Sequence, residues 1–427
     1  MIVPDLVQRF IVTPNELVRE TPYIEDHIMA TREAYDLDRV ESRQLSGDTQ
    51  LTGDDIANNQ ATIKNVRLWD RGPLLSTFSQ IQEIRTYYEF NSVTNDRYIV
   101  DGELRQLMLS PRELDSSSLP TQNWINSHLT FTHGYGVTAG PVNQVTAEGL
   151  PVLFVQDIPP QTEKESLQID RPEIYYGLIP NEYVITKTKS QEFGYPQGDE
   201  QVYTTYEGNG GVAIDSLWKR IVYAIKFRSI NIVLNADITD ESRIMYYRQF
   251  VDRVRKVAPF FTYDQDPYMV VNDGQLYWVL DGYTVSDRYP YSQPSMLGSQ
   301  RVNYVRNSVK VVMSAYDGKM TFYQVVEDDP IATAYQQIFP ELFVPYDEMP
   351  ESLKAHMRYP EDIFKVQTDI FTTFHMTEPQ IFYNREDQWE VPSILDASAI
   401  EDPRNTPDSR LSPRHMIMEL PEQDRAE

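Results

Sequence analysis

YMVVNDGQLYWVLD, residues 268–281, reads as two strands folded about a turn. Aromatic and β-branched side chains fill both arms. Asn272-Asp273-Gly274 between them is a cluster suited to the positive φ of a tight hairpin turn. Long apolar residues on both faces place this hairpin inside a sheet. A second hairpin stands at 308–326, SVKVVMSAYDGKMTFYQVV, with its turn at Asp317-Gly318. Two hairpins in succession commit this part of the chain to antiparallel pairing, since parallel neighbours need a crossover of about a dozen residues or more.

Helical spacing surrounds the hairpins. Apolar residues recur at helical intervals in 24–37, 74–84, 215–227, 241–257, 331–338, 350–357 and 361–374. Several of these stretches meet a proline that sets a limit. Residues 87–90 and 97–100 read as strands, as do stretches within 173–180 and 182–189. Residues 1–12 alternate loosely and read as an extended strand. Polar, Gly/Pro/Asn-rich stretches at 39–62, 161–172, 190–211 and 284–303 read as loops. With hairpins, scattered helices and no regular strand–helix–strand alternation, the expected class is α+β: a mixed, largely antiparallel sheet with packed helices. The expected organisation is one large domain over 1–392, with 39–62 as a polar loop or linker. Beyond it lies a mobile or truncated tail over 393–427.

Composition narrows the function. Acidic residues outnumber basic ones by 64 to 38, a formal charge of -26. Nucleic-acid binding needs clustered Lys and Arg to displace counterions, so no nucleic-acid partner is expected. The 28 tyrosines suit half-buried positions, with an apolar ring and a polar tip. Cysteine is absent, which removes thiolate metal sites and cysteine nucleophiles and agrees with an oxidising compartment. No apolar run reaches the roughly 18 residues needed to span a bilayer. The first residues, MIVPDLVQRFIV, lack a signal peptide's basic end and long apolar centre.

One stretch has the look of a site. Residues 124–160, WINSHLTFTHGYGVTAGPVNQVTAEGLPVLFVQDIPP, hold two of the six histidines and place glycines on both sides of Tyr135. Glycines there imply backbone passing close to something. His128, His133 and Tyr135 are the candidate binding residues. The two histidines are five apart, which separates them on strand or helix and argues against joint metal chelation. Asp264 and Asp266 alternate on a stretch read as extended and are the candidate metal ligands, with calcium as the cation that oxygen donors would hold. No other cofactor is expected. Gly208-Asn209-Gly210-Gly211 precedes a helix but lacks the following Lys-Ser/Thr of a nucleotide loop. No G-x-S-x-G or HExxH occurs. Paired carboxylates would serve glycoside hydrolysis, but 64 acidic residues supply such pairs without specificity.

HLTFTHGYG (128–136) with GLPVLFVQDIPP (149–160) resembles uncharacterised protein family 0182. So do TPNELVRETPYI (13–24), ESRIMYYRQFVDRVRKVAPF (241–260), NYVRNSVKVVMSAYDG (303–318) and AHMRYPEDIFKVQ (355–367). HMIMELPE (415–422) is similar to a later family segment, while residues 393–413 match poorly. The resemblance implies the large extracytoplasmic domain of a bacterial multipass membrane protein, with the protein's own N-terminal membrane region and an envelope component as partners. It implies residence on the outer side of the cell membrane. It supplies no catalytic residue, since the family has no established activity. The expectation is therefore a binding or assembly role at the cell envelope, with an extracytoplasmic hydrolase of envelope glycan as the alternative.

Overall fold

The computed structural model describes residues 6–43, 50–198, 200–393 and 410–420. The first hairpin forms as its sequence dictates. Tyr268–Asn272 pairs antiparallel with Gly274–Ser286. The reversal passes through Asp273 and Gly274 at φ 48° and 72°, the left-handed region that aspartate tolerates and glycine favours. Gly274–Ser286 lies inside a seven-stranded sheet. One flank carries Tyr268–Asn272 and Thr262–Tyr263, while the opposite edge of Gly274 and Gln275 makes a short parallel contact with Ile169–Arg171. The other flank carries Tyr304–Ser314, then Met320–Gln324, then the parallel Phe343–Pro345.

Both faces of this sheet are covered, which explains the apolar residues at successive positions. Trp278, Leu280, Val309 and Val311 pack with Tyr176, Phe250 and Val254 on one side. Tyr268, Val270, Val279 and Val312 pack with Met349, Leu353 and Met357 on the other. Each such side chain contributes roughly 1.5–3 kcal/mol through burial. Trp278 also donates its Nε1 proton to the Tyr176 carbonyl at 2.9 Å, so its one polar atom is satisfied inside the core.

Smaller sheets surround this centre. Thr94–Val100, Glu103–Leu114 and Val137–Pro141 form an antiparallel group with Tyr88–Phe90. The helix Arg71–Gln82 lays Leu74 and Phe78 against it. Val184–Thr186, Arg243–Met245 and Val212–Ala213 form a third sheet. The helix Glu361–Phe374 buries Ile363, Val366, Ile370 and Phe374 against Ala34, Tyr35 and Tyr283. The architecture is α+β, with mixed and largely antiparallel sheets.

Several local expectations are corrected. Of the stretch read as a strand over 1–12, residues 1–5 lie outside the described residues and 6–12 are helical, with Gln8–Val12 leading through Thr13–Asn15 into the helix Glu16–Ala34. The described part of 39–62 holds the helix Gly53–Asn58, started by reciprocal bonds between Thr52 and Asp55. Residues 190–211 contain a hairpin, Glu192–Gln197 with Glu200–Thr204. The expected helix at 241–257 is divided. Arg243–Met245 is a strand, Tyr247 turns the chain at φ 50°, and only Phe250–Val257 is helical. Sheet pairing on both sides of Ile244 overrides its helical spacing. The 284–303 stretch contributes a further hairpin, Ser295–Leu297 with Gln300–Val302. Of the 393–427 stretch, residues 394–409 and 421–427 lie outside the described residues. Residues 410–420 are held on the body: Ile417 is buried, and Glu419 donates its backbone proton to the Thr62 hydroxyl at 2.9 Å.

Candidate functional site

The glycine-flanked stretch becomes interior. His128 stacks on Tyr183 at 4.1 Å between ring centres, and its Nδ1 lies 2.7 Å from the Tyr183 carbonyl. Burial holds its pKa below the usual value. His133 is fully enclosed and burial holds its pKa down to about 3, with the Arg248 charge adding to the effect. The Thr132 hydroxyl lies 2.7 Å from Glu192 Oε2 and 2.8 Å from His133 Nδ1. Its single proton goes to the carboxylate, so His133 Nδ1 donates to the hydroxyl and the ring is neutral. Tyr175 donates to the same Glu192 oxygen at 2.7 Å. Tyr135 is buried against Tyr195, with ring centres 5.1 Å apart.

Two buried arginines brace this segment. Arg112 donates to the carbonyls of Gln82, Tyr135 and Asp157. Arg248 donates to those of Thr132, Tyr175 and Glu182. Burial lowers both guanidinium pKa values to about 10, and both stay charged at neutral pH. Their charges are spread over carbonyl dipoles. Beside Arg248, Glu113 accepts from the backbone N–H groups of Leu178 at 2.6 Å and Ile179 at 3.1 Å. Burial nevertheless pushes its pKa up to about 7. The void among Glu113, Gly177 and Arg248 measures about 10 Å³, room for at most one water. His128, His133 and Tyr135 thus belong to a network that ties sheets together.

Three open concavities meet elsewhere, around Tyr359. One of about 580 Å³ lies between the turn at 36–40, the Glu361–Phe374 helix and residues 413–415, with Tyr359, Phe364 and Phe371 in its wall. A second of about 530 Å³ is lined by Asn95, Asp96, Arg97, Gln106, Tyr359 and His415. A third of about 230 Å³ is bordered by Arg39, Arg306, Lys310 and Arg358, again with Tyr359. The 410–420 segment runs between the first two, and His415 borders both. Gln106 fixes it there by donating Nε2 to the His415 carbonyl at 2.7 Å.

The polar groups of the second concavity are incompletely matched. Asn95 Oδ1 and Nδ2 and Gln106 Oε1 are buried, and none has a hydrogen-bond partner among the described residues. His415 donates its Nε2 proton to the Tyr359 carbonyl, 2.7 Å away, while Nδ1 lies 3.7 Å from Glu361, beyond a hydrogen bond. Burial, then the Arg358 charge, lowers the His415 pKa. The carboxylates at these walls are each met by a basic side chain: Asp96 by His356 at 2.9 Å, Glu361 by Arg71 at 2.7 Å and Asp36 by Arg39 at 3.2 Å.

Asp264 and Asp266 stand behind this wall. Asp264 Oδ1 accepts the Asp266 N–H at 2.8 Å, and Oδ2 accepts the Tyr283 hydroxyl and the Asp362 N–H. Asp266 Oδ2 meets Arg358 at 2.6 Å and Arg71 at 3.5 Å. Both carboxylates are thus engaged by internal donors. Among the described residues, no group of three or more His, Asp and Glu is placed to hold a metal ion. Sequence reasoning missed Asn95, Gln106, Tyr359 and His415. Tyr359 lay within a family-like block, in the run His356-Met357-Arg358-Tyr359-Pro360, and nothing in that run marks it as a site.

This α+β chain, with three concavities meeting at Tyr359, belongs to a family defined by sequence. The profile of Uncharacterised protein family (UPF0182) matches residues 1–427, and the chain is a member of that family. It is similar to a UPF0182 protein of Geobacter sp. (strain M21), 50% identical over 421 residues, covering 98% of this chain and 45% of the relative. A UPF0182 protein of Geotalea uraniireducens (strain Rf4) is 50% identical over 425 residues, covering 99% and 46%. One from Trichodesmium erythraeum (strain IMS101) is 46% identical over 440 residues, covering 99% and 47%. The chain therefore spans less than half the length of these relatives. No solved structure matches it. Among the described residues, no helix is long and apolar enough to cross a membrane.

Proposed function

We propose that this chain is the extracytoplasmic binding region of a multipass membrane protein, and that the concavity beneath His415 takes a hydroxyl-rich ligand, an envelope saccharide. The observation that carries the reading is the concavity of about 530 Å³ whose wall combines Asn95, Gln106, Tyr359 and His415. A planar amide offers a donor beside an acceptor, which suits adjacent hydroxyl groups. Tyr359, about half exposed at 51%, supplies a ring for the apolar face of a sugar. The lack of cysteine supports an oxidising compartment. Membrane attachment falls to parts of the protein outside this chain. The basic partner at each wall carboxylate favours binding over the hydrolytic alternative.

Calorimetric titration with soluble N-acetylhexosamine oligomers tests the ligand class. Binding should weaken about tenfold or more in Asn95→Ala, on the loss of paired hydrogen bonds. Failure of the wild-type chain to bind any such oligomer would sink the saccharide assignment. Protease accessibility of the full-length protein in intact cells tests the location.

A further inference from the structure

The third sheet carries two helices, Leu217–Phe227 and Asn231–Leu234. Their inner sides are conventional: Ala224 and Ile232 are buried with Ile185, Ile214 and Ile244. Their outer sides are apolar as well. Trp218, Val222 and Ile225 follow at i, i+4 and i+7, one face of a helix. Trp218 is 71% exposed and Ile225 73% exposed. Ile230 and Leu234 extend the patch onto the shorter helix at 62% and 72% exposure. A helix apolar on both sides is expected in an interior rather than at a water-facing surface.

Charge distinguishes what covers it. The chain carries -26 overall, yet residues 216–234 contain no acidic residue and four basic ones. Lys219 and Arg220 pair with Asp215 and Asp240. Lys226 and Arg228 have no ion-pair partner among the described residues, and Lys226 rests 4.0 Å from the centre of the Tyr246 ring. Exposed aliphatic residues, a tryptophan at the edge and unpaired cations beside them match the apolar, anionic and hydrated layers of a bilayer interface. We propose that this helical pair is a lipid-contact surface that seats on an anionic membrane interface. The surface is separate from the concavity around Tyr359, and none of its residues borders it.

Flotation of the chain with vesicles tests the proposal. Vesicles of mixed phosphatidylglycerol and phosphatidylcholine should carry the chain at low salt. Phosphatidylcholine alone should carry less, and salt should weaken the binding as the charges are screened. Trp218→Ser with Ile225→Ser should reduce binding about tenfold or more. Ile230→Ser with Leu234→Ser should act in the same direction from the second helix. These side chains face outward, so an unchanged melting temperature and circular dichroism spectrum should accompany the loss. Saccharide affinity should be unaltered, which separates failure here from failure of the binding reading. The proposal is overturned if the wild-type chain ignores both vesicle types, or if both variants bind as well as wild type. It is equally overturned if the patch mediates a dimer in solution that the variants dissociate while vesicle binding persists.

Discussion

Replacing Glu113 with Gln should make the protein more stable at pH 8 and change little at pH 5. Glu113 is enclosed, with one oxygen held by the N–H groups of Leu178 and Ile179 and the other without a partner. Burial raises its pKa from 4.5 to about 7, against the lowering effect of those two bonds. At pH below 4.5 the folded and unfolded states both hold the proton, and stability is insensitive to this group. As pH rises from 4.5 towards 7, the unfolded chain ionises while the folded chain keeps its proton, so stability falls. The shift corresponds to a loss of about 3 kcal/mol, complete above the folded pKa, at about 1.4 kcal/mol per pH unit. Glutamine accepts the same N–H groups and has nothing to ionise. His133, held at about 3 by burial, works in the opposite sense: its contribution is lost as pH falls below its unfolded value. That term is common to both proteins and cancels in their difference. Urea denaturation of wild type and Glu113→Gln at pH 5 and pH 8 reads the effect. The variant's advantage should grow by about 3 kcal/mol between the two. A difference independent of pH would refute a buried, proton-holding Glu113.

Two further outcomes follow from neighbouring geometry. A Cβ on Gly177 would stand 1.9 Å from Glu113 Oε2, so Gly177→Ala should cost about 2 kcal/mol or more through overpacking. Its nearest obstructions are all Glu113 side-chain atoms, and Glu113→Ala should relieve much of that cost in a double-mutant cycle; simple additivity would contradict the contact. The calcium expectation at Asp264 and Asp266 meets Arg71 and Arg358. With these cations in place, thermal melting should be the same in calcium and in chelator, and a rise in calcium would show that the ion displaces an arginine.

The hairpins at 268–281 and 308–326 were legible because two signals coincided, aromatic and β-branched density in the arms and Asp-Gly at the reversal. The helix Glu361–Phe374 was legible because its apolar spacing is also its packing face. Where local pattern and sheet pairing disagreed, pairing decided. Ile244 and Met245 carry helical spacing into a strand because Val184–Thr186 and Val212–Ala213 offer partners on both sides. Gly194, Pro196 and Gly198 suggest a loop, yet Glu192–Gln197 pairs with Glu200–Thr204 and places a bulge between Val202 and Tyr203.

The glycine signal at the candidate binding residues has a related explanation. The glycines around Tyr135 signalled a close approach, and close approaches are there. A Cβ on Gly134 would lie 2.4 Å from the Arg112 carbonyl oxygen, and one on Gly136 would lie 2.3 Å from Pro160. What approaches is the protein's own backbone and ring, so the glycines serve packing. Glycine density reports crowding without naming the occupant, and only the fold distinguishes a ligand from a neighbouring strand. The concavities around Tyr359 carry no such local mark. Their walls come from residues 36–40, 95–106, 357–371 and 413–417, segments that meet only when the helix Glu361–Phe374 and the 410–420 segment are in place. An unpartnered amide at Asn95 is also invisible beforehand, because whether a polar atom is satisfied depends on every element that packs around it. The site is therefore a property of the assembled sheets, while the framework was written in short-range pattern.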